Sequence, residues 1–430
     1  MSVLTVKKSP PIKGEIIVPG DKSITHRAIL LGGLAKGPTI IKGYLPSDDC
    51  ICTLRAMEEM GVKTRIQENV LTVYGEGFDG LKEPEKILNM GNSGTSLRLF
   101  TGLLAGLPFF SVLDGDDSLR KRPMARVIEP LSLMGAEIRG RKNNRLAPLA
   151  ISGKKNLKGI EYRLPVASAQ VKSALLLAGL LAEGTTRIEE PLLSRDHSER
   201  MLRSFGARIE FSPRKATVLK SDLRGTEIDV PGDFSSAAFF IVAATIIPKS
   251  SLMIRNVGIN PTRIGLLGAL EKMGARILIE NQRVLGGEPV GDLFIQSAEK
   301  LIGIEIAGDD IPSMIDEFPI FFIAAAFAEG ETRVTGAKEL RVKESDRVGV
   351  MSREMRKMGV GVEEYPDGLR IEGRNKYKAA SYSSEGDHRV AMSMAIAALA
   401  SEGESTVEQT DCIRTSFPGF ESLLKKVSGF

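Results

Sequence analysis

The sequence predicts an α/β (α+β) protein of two similar domains, each built from three copies of one helix-and-strand unit. Three observations predict it. One pattern recurs six times at a spacing of roughly 60 to 80 residues, which is a sign of repeat architecture. The tetrapeptide "VPGD" stands at 18–21 and again at 230–233. The chain, at 430 residues, is too long for a single core and suits two of ordinary size.

The first copy is "VPGDKSITHRAILLGGLAKGPTIIKG" (18–43): a polar start, an apolar helix rich in small residues, a Gly turn and a β-prone strand. Five more follow, opening at "GNSGTSLRLF" (91), "VASAQVKSALLLAGL" (166), "VPGDFSSAAFF" (230), "PSMIDEFPIFF" (312) and "GDHRVAMSMAIAALA" (386). Helices apolar nearly all round and rich in Ala and Gly are predicted to be buried and closely packed. After each comes a second, amphipathic helix, as in "LRAMEEMG", "IEPLSLMG", "RMLRSFG", "LLGALEKMG", "EMRKMG" and, at the chain end, "GFESLLKKVSG". Gly just past the last turn of these surface helices is the pattern of a left-handed C-cap. With three copies per domain the seam falls at "IDVPGD" (228–233), giving an N-terminal domain of residues 19–229 and a C-terminal domain of 1–18 and 230–430. Residues 1–18 are expected to pair back onto the second half, so that two chain crossings form a hinge.

Bulk properties exclude several function classes. Hydrophobic residues are 42% and charged residues 26%, and no apolar run reaches the eighteen or so residues of a membrane span. No N-terminal stretch reads as a cleaved signal, so a cytoplasmic protein is expected. Net charge is +4, with no Trp and no dense Lys/Arg tract, which does not imply nucleic acid. Cys50, Cys52 and Cys412 are too few and scattered for a disulfide framework or a zinc site and read as small core residues. Three histidines leave little room for imidazole ligation, and His26 and His197 read as structural.

Buried helices still expose free N–H groups at their starts, where partial positive charge suits anions. The starts are therefore expected to line a cleft. In the first half they carry Lys22, Ser23 and Arg27, then Asn92, Ser93, Gly94, Thr95 and Arg98, then Ser168, Ala169, Gln170 and Lys172; in the second half Asp233 and Ser235, Asp316 and Glu317, Asp387, His388 and Arg389. Charged clusters lie between copies at "RKRPMAR" (120–126), "SRDHSER" (194–200) and "RVKESDR" (341–347), where the spacing of Lys343 and Arg347 lets them share a helix face. A charge run is ordinarily a solvated face and a hydroxyl at a helix start ordinarily a cap, and Asp233 and Ser235 are read as caps. Repetition at the starts in both halves points instead to a polyanionic ligand held by cations, hydroxyls and helix ends. A phosphate loop is excluded, because Asp21 separates Gly20 from Lys22. Asp316, Glu317 and Glu344 sit among lysines and arginines, which disfavours a divalent metal, and no cofactor is implied.

The stretches "GDKSITHR", "GNSGTSLR", "RPM", "SAQVKSALLLAGL", "RDHSE", "NPTR" (260–263), "DEFP", "KESDR", "DHRVAM" and "SFPGF" together resemble the 5-enolpyruvylshikimate-3-phosphate (EPSP) synthase family from end to end, in its class II form. The resemblance implies two domains, each of three pseudo-symmetric βαβαββ repeats with buried helices, an inside-out α/β barrel, hinged around an interdomain cleft. It implies enolpyruvyl transfer from phosphoenolpyruvate to shikimate 3-phosphate, without metal or organic cofactor, by a monomer that glyphosate inhibits. Carried over by motif, Lys22, Ser23, Arg27, Ser168, Ala169, Gln170, Arg195, Asp316 and Lys343 hold shikimate 3-phosphate. Lys22, Gly94, Arg122, Gln170, Arg347 and Arg389 hold phosphoenolpyruvate, and Lys22, Asp316 and Glu344 are the catalytic residues. A phosphoenolpyruvate-contacting Lys that many members carry near the C-terminal "FP" is replaced here by Thr415, with Arg414 beside it. Gly94, where tolerant members have Ala, implies only partial glyphosate tolerance. The sister enzymes that use UDP-N-acetylglucosamine differ in having a loop cysteine that "DGDDSLRKRPM" lacks. A six-repeat DNA clamp would spread its cations evenly, whereas here they cluster in unlike groups.

Overall fold

The computed structural model describes residues 2–429. Six helices are buried along nearly their whole length: α1 (Lys22–Leu34), α2 (Gly94–Ala105), α3 (Ala169–Gly179), α4 (Phe234–Ile246), α5 (Phe318–Ala326) and α6 (His388–Ala400). Five begin at a side-chain cap, from Asp21, Ser93, Ser168, Asp233 and Asp387, each of which accepts from a main-chain N–H of the first turn. The fifth, α5, has no side-chain cap and starts instead on the Phe318-Pro319 pair, where proline's missing N–H costs nothing.

Each buried helix feeds a strand that lies inside a small sheet: Ala35–Lys42, Phe110–Asp114, Thr185–Glu189, Ser251–Gly258, Gly330–Val334 and Glu404–Glu408. In all six sheets of the described residues that strand has a parallel neighbour on one side and an antiparallel one on the other. The first copy takes its parallel partners from Leu223–Arg224 and Glu227–Asp229, at the far end of the third copy. In the second half the N-terminus does the closing: Lys13–Ile17 runs parallel to Ser251–Gly258, and Val3–Lys7 antiparallel to Glu404–Glu408. The second helices keep one face exposed, and Gly61, Gly135, Gly206, Gly274, Gly359 and Gly429 follow them with positive φ.

The small residues of the buried helices are there for closeness. A Cβ on Gly102 of α2 would stand 2.1 Å from the Ala174 carbonyl oxygen of α3, so the two backbones touch and only glycine fits. Two separate apolar cores result, one over Ile24–Val230 and one over Leu4–Val18 with Phe234–Leu424.

The chain divides into two compact units: an N-terminal unit of Gly20–Pro231 with Val284–Glu288, and a C-terminal unit of Met1–Pro19, Gly232–Arg283 and Pro289–Phe430. The expected block 230–430 needs one correction. Residues 284–288, the tip of the hairpin formed by Arg276–Leu285 and Glu288–Gln296, belong with the N-terminal repeats. The reason is local: Glu288 accepts a 2.8 Å bond from His197, and both side chains are buried. Among the described residues no helix is long and apolar enough to cross a membrane.

Candidate active site

In the N-terminal unit the starts of α1, α2 and α3 carry the expected groups. Lys22, the first residue of α1, pairs with Asp49 at 3.0 Å. Ser23 is half-buried beside it, and one turn on Arg27 is buried. Arg27 donates from Nε to Ser198 Oγ at 2.6 Å, from Nη2 to Ser173 Oγ at 2.8 Å and from Nη1 to the Ser23 carbonyl at 2.9 Å. Burial lowers this guanidinium to about 10, against the support of Glu199 and Asp21, so it stays charged at neutral pH.

Gly94 opens α2 and is approached by two cations: a Cβ there would lie 2.7 Å from Arg98 Nη1 and 3.1 Å from Arg122 Nη1. Arg122 is held by the Asn92 amide oxygen at 2.6 Å. Arg98 donates to Gln170 Oε1 at 2.8 Å, while Gln170 Nε2 donates to Thr95 Oγ1 at 3.0 Å, which ties the start of α2 to that of α3. Ser168 caps α3, and Ala169 and Gln170 form its first turn, half-buried. Arg195 lies just before the helix His197–Ser204. Cations, hydroxyls and helix N-termini therefore share the helix-start region of this unit, an arrangement whose chemistry suits phosphate and carboxylate.

In the C-terminal unit the groups converge on acids. Asp316 precedes α5 and receives Lys343 at 3.3 Å, Arg347 at 3.5 Å and, on its carbonyl, Arg389 at 2.9 Å. Arg347 bonds Glu344 at 2.7 Å and Asp387, the cap of α6, at 2.9 Å. Despite the cost of burial, Asp387, Glu344 and Asp316 together raise Arg347 above its ordinary range, and burial notwithstanding, Arg347 holds Asp387 below the usual carboxylate range.

One expectation changes here. Lys343 and Arg347 do not share a helix face, because Lys343 ends the short turn Lys338–Val342 and the helix begins only at Arg347, capped by Asp346. They meet through Asp316 instead. Arg347, expected to hold phosphoenolpyruvate, is buried and donates to the carboxylates of Asp316, Glu344 and Asp387. Thr415 ends the turn Thr410–Thr415, its hydroxyl donated to the Cys412 carbonyl at 2.7 Å, and Arg414 is exposed.

Asp233 caps α4 as expected but also takes Arg263, the arginine of "NPTR", at 2.8 Å. Ser235 accepts from the same arginine at 2.9 Å and donates to Glu317, so these caps belong to a buried network that reaches Arg389. His26 is buried against Thr53 at 2.7 Å, and burial with nearby Lys22 and Arg27 keeps it neutral. Cys50 is buried and its thiol is pushed up by desolvation; Cys412 is pushed up to about 12 for the same reason. Among the described residues no group of three His, Cys, Asp or Glu could hold a metal ion.

The family model for EPSP synthase (3-phosphoshikimate 1-carboxyvinyltransferase) matches residues 6–424. The chain belongs to the EPSP synthase family. A 3-phosphoshikimate 1-carboxyvinyltransferase of Geobacter metallireducens is 54% identical over 429 residues, covering 100% of both chains. One of Desulforamulus reducens is 51% identical over 99% of both. The solved EPSP synthase of Acinetobacter baumannii superposes with a TM-score of 0.87 at 45% identity, covering 99% of this chain and 98% of that one. The enolpyruvyl transferase NikO of Streptomyces tendae, at 17% identity and TM-score 0.80 over 99% of this chain and 97% of its own, shares the fold.

Within this EPSP synthase family member, sequence reasoning missed Asp49, Ser173, Glu190, Ser198 and Glu199 as supports of Lys22, Arg27 and Lys172. "SRDHSER" signalled that something is built at 194–200, but its partners lie far off in the chain.

Proposed function

We propose that the chain transfers the enolpyruvyl group of phosphoenolpyruvate to the 5-hydroxyl of shikimate 3-phosphate, giving 5-enolpyruvylshikimate 3-phosphate and inorganic phosphate. The observation that carries this reading is identity of 50–54% across 99–100% of proteins named for that transfer. The two sets of helix starts supply matching chemistry. Arg27, with Ser23, Ser168, Ala169, Gln170 and Arg195, takes the acceptor's phosphate and hydroxyls. Lys22, Gly94, Arg122, Gln170, Arg347 and Arg389 take phosphoenolpyruvate, and its carboxylate and phosphate need cations of this kind. Arg347 also fixes Asp316 and Glu344, both of which it touches.

In the addition step Asp316, kept in place by Lys343, removes the proton of the 5-hydroxyl. Glu344 donates a proton to C3 of phosphoenolpyruvate, and the acceptor oxygen bonds to C2, giving a tetrahedral ketal phosphate. Elimination completes the proton traffic: Glu344 takes a proton from the new methyl group, the bond between C2 and the phosphate oxygen breaks, and the leaving phosphate takes up the proton that came from the 5-hydroxyl, by way of Asp316. Lys22 is a further proton-transfer group, and the surrounding cations stabilise the charge growing on the leaving phosphate. Glu344 must carry a proton to begin, and it lies 2.7 Å from Arg347. Glyphosate is expected to compete for the cations around Gly94, with partial tolerance.

The test is phosphate release on mixing purified protein with both substrates, in EDTA, with Lys22→Met in parallel. Release that persists in EDTA and collapses in the variant is expected. No release by folded wild type overturns the activity, and UDP-N-acetylglucosamine is then the acceptor to try.

A further inference from the structure

Arg27 is a proposed cation for an oxyanion of shikimate 3-phosphate, and the role of its neighbours rests on that reading. A guanidinium has five N–H donors. Three are used, by Ser198, Ser173 and the Ser23 carbonyl, which leaves one on each terminal nitrogen, the complement a bidentate oxyanion contact requires. The acceptors on the protein side are neutral. A carboxylate in place of either hydroxyl would neutralise Arg27 and compete with the ligand, whereas a hydroxyl orients it and leaves its charge available.

The two hydroxyls also form a chain of one direction. Ser173 Oγ donates to the Ala169 carbonyl at 2.6 Å, so it receives both Arg27 and the hydroxyl of Ser198, 2.6 Å away. Every proton in the set has an acceptor. One residue along from each serine is a buried charge: Lys172 beside Ser173 and Glu199 beside Ser198. These two pair at 2.7 Å, and Lys172 also bonds Glu190, with all three side chains at most 4% exposed. Glu190 is in turn held by the main-chain N–H and hydroxyl of Ser194 at 3.1 and 3.0 Å. Helix α3 and the helix His197–Ser204 are thereby locked at the spacing that puts Ser173 against Ser198.

We propose that Ser198 and Ser173 are positioning residues for recognition of the acceptor's oxyanion, holding the Arg27 guanidinium with two N–H groups toward it, and that the Lys172–Glu190–Glu199 brace keeps the two hydroxyls in register. Ser198→Ala is expected to raise KM for shikimate 3-phosphate about tenfold or more, the loss of one charge-assisted bond. KM for phosphoenolpyruvate and kcat should stay within about twofold. Ser198→Thr, which keeps the hydroxyl, should restore the wild-type KM. In an Arg27→Met background Ser198→Ala should add nothing, because its effect passes through Arg27. Thermal unfolding checks each variant; should Ser198→Ala not fold, Ser173→Ala is judged by the same criteria. A folded Ser198→Ala with wild-type KM, or one in which both KM values rise alongside a fall in Tm, overturns the proposal. If Arg27→Met itself leaves KM for shikimate 3-phosphate unchanged, it is the acceptor-binding reading of Arg27 that fails.

Discussion

The starts of α1, α2 and α3 and those of α4, α5 and α6 put different chemistry on the same buried helix. In the N-terminal unit Arg27 is held by two hydroxyls and a carbonyl, Arg98 by an amide and carbonyls, and Arg122 by an amide oxygen. In the C-terminal unit three buried arginines meet carboxylate: Arg263 with Asp233, Arg389 with Glu317, and Arg347 with Asp316, Glu344 and Asp387. An arginine oriented by hydroxyls and a carbonyl, as Arg27 is, presents its charge with no carboxylate among those three acceptors. Arginines packed among acids hold those carboxylates in place, as Arg347 does Asp316 and Glu344. On the proposed reading one repeat serves both binding and proton transfer, and the difference lies in what stands beside the arginine.

The largest test of that contrast is chemical. Glu344→Gln should lower kcat by about 10²–10⁴ with KM values nearly unchanged, measured by steady-state phosphate release. A rise in KM without loss of kcat would move Glu344 to the binding side of the comparison.

Stability should also separate the two kinds of arginine. Arg347→Met strips Asp387, itself fully buried, of its main cation and should cost about 3–5 kcal/mol in urea unfolding. Arg27→Met, whose serine partners can bond each other, should cost distinctly less. Equal losses would erase the distinction between them.

Acid should act on the C-terminal cluster. The native pKa of Asp387 lies below its unfolded value, so on acidification the native state takes up its proton later than the unfolded state does; its stabilisation is complete above the unfolded value of about 4 and is lost progressively below it. Tm measured from pH 6 downward should therefore fall below about pH 4, with a shallower slope in Asp387→Asn.

Packing gives smaller effects. Gly102→Ala forces a methyl group against the α3 backbone and should cost about 1–3 kcal/mol, read as a lowered urea midpoint. Gly94→Ala meets only the ends of two arginine side chains, so stability should barely move, while KM for phosphoenolpyruvate and the inhibition constant for glyphosate both rise severalfold.

How much of the molecule was legible in the sequence depends on the range of the interactions. The six buried helices, their caps and the glycines after the second helices are local patterns, visible because caps and periodicity act over three or four residues. Lys22, Arg27, Gly94 and Gln170 stand at helix starts for the same reason. Ser198 and Ser173 could not be read as partners of Arg27, because they lie 171 and 146 residues away and serine is common at helix starts. Lys343 and Arg347 suggest a shared face because an i, i+4 spacing looks alike whether or not a helix runs through it; the capping carboxylate of Asp346 starts the helix one residue before Arg347. Glycine pairs such as Gly286-Gly287 mark a turn, and nothing in them tells which core the turn joins.

That hairpin tip has a consequence for anyone dissecting the molecule. The chain passes between its two units four times, at residues 19/20, 231/232, 283/284 and 288/289, so neither unit is a contiguous stretch of gene. A fragment cut at 20 and 231 would look complete by repeat count, yet it would leave His197 without the carboxylate of Glu288, supplied from 91 residues downstream. An autonomous N-terminal half must therefore be spliced from two pieces, with the five residues 284–288 grafted in as a cofactor-like plug.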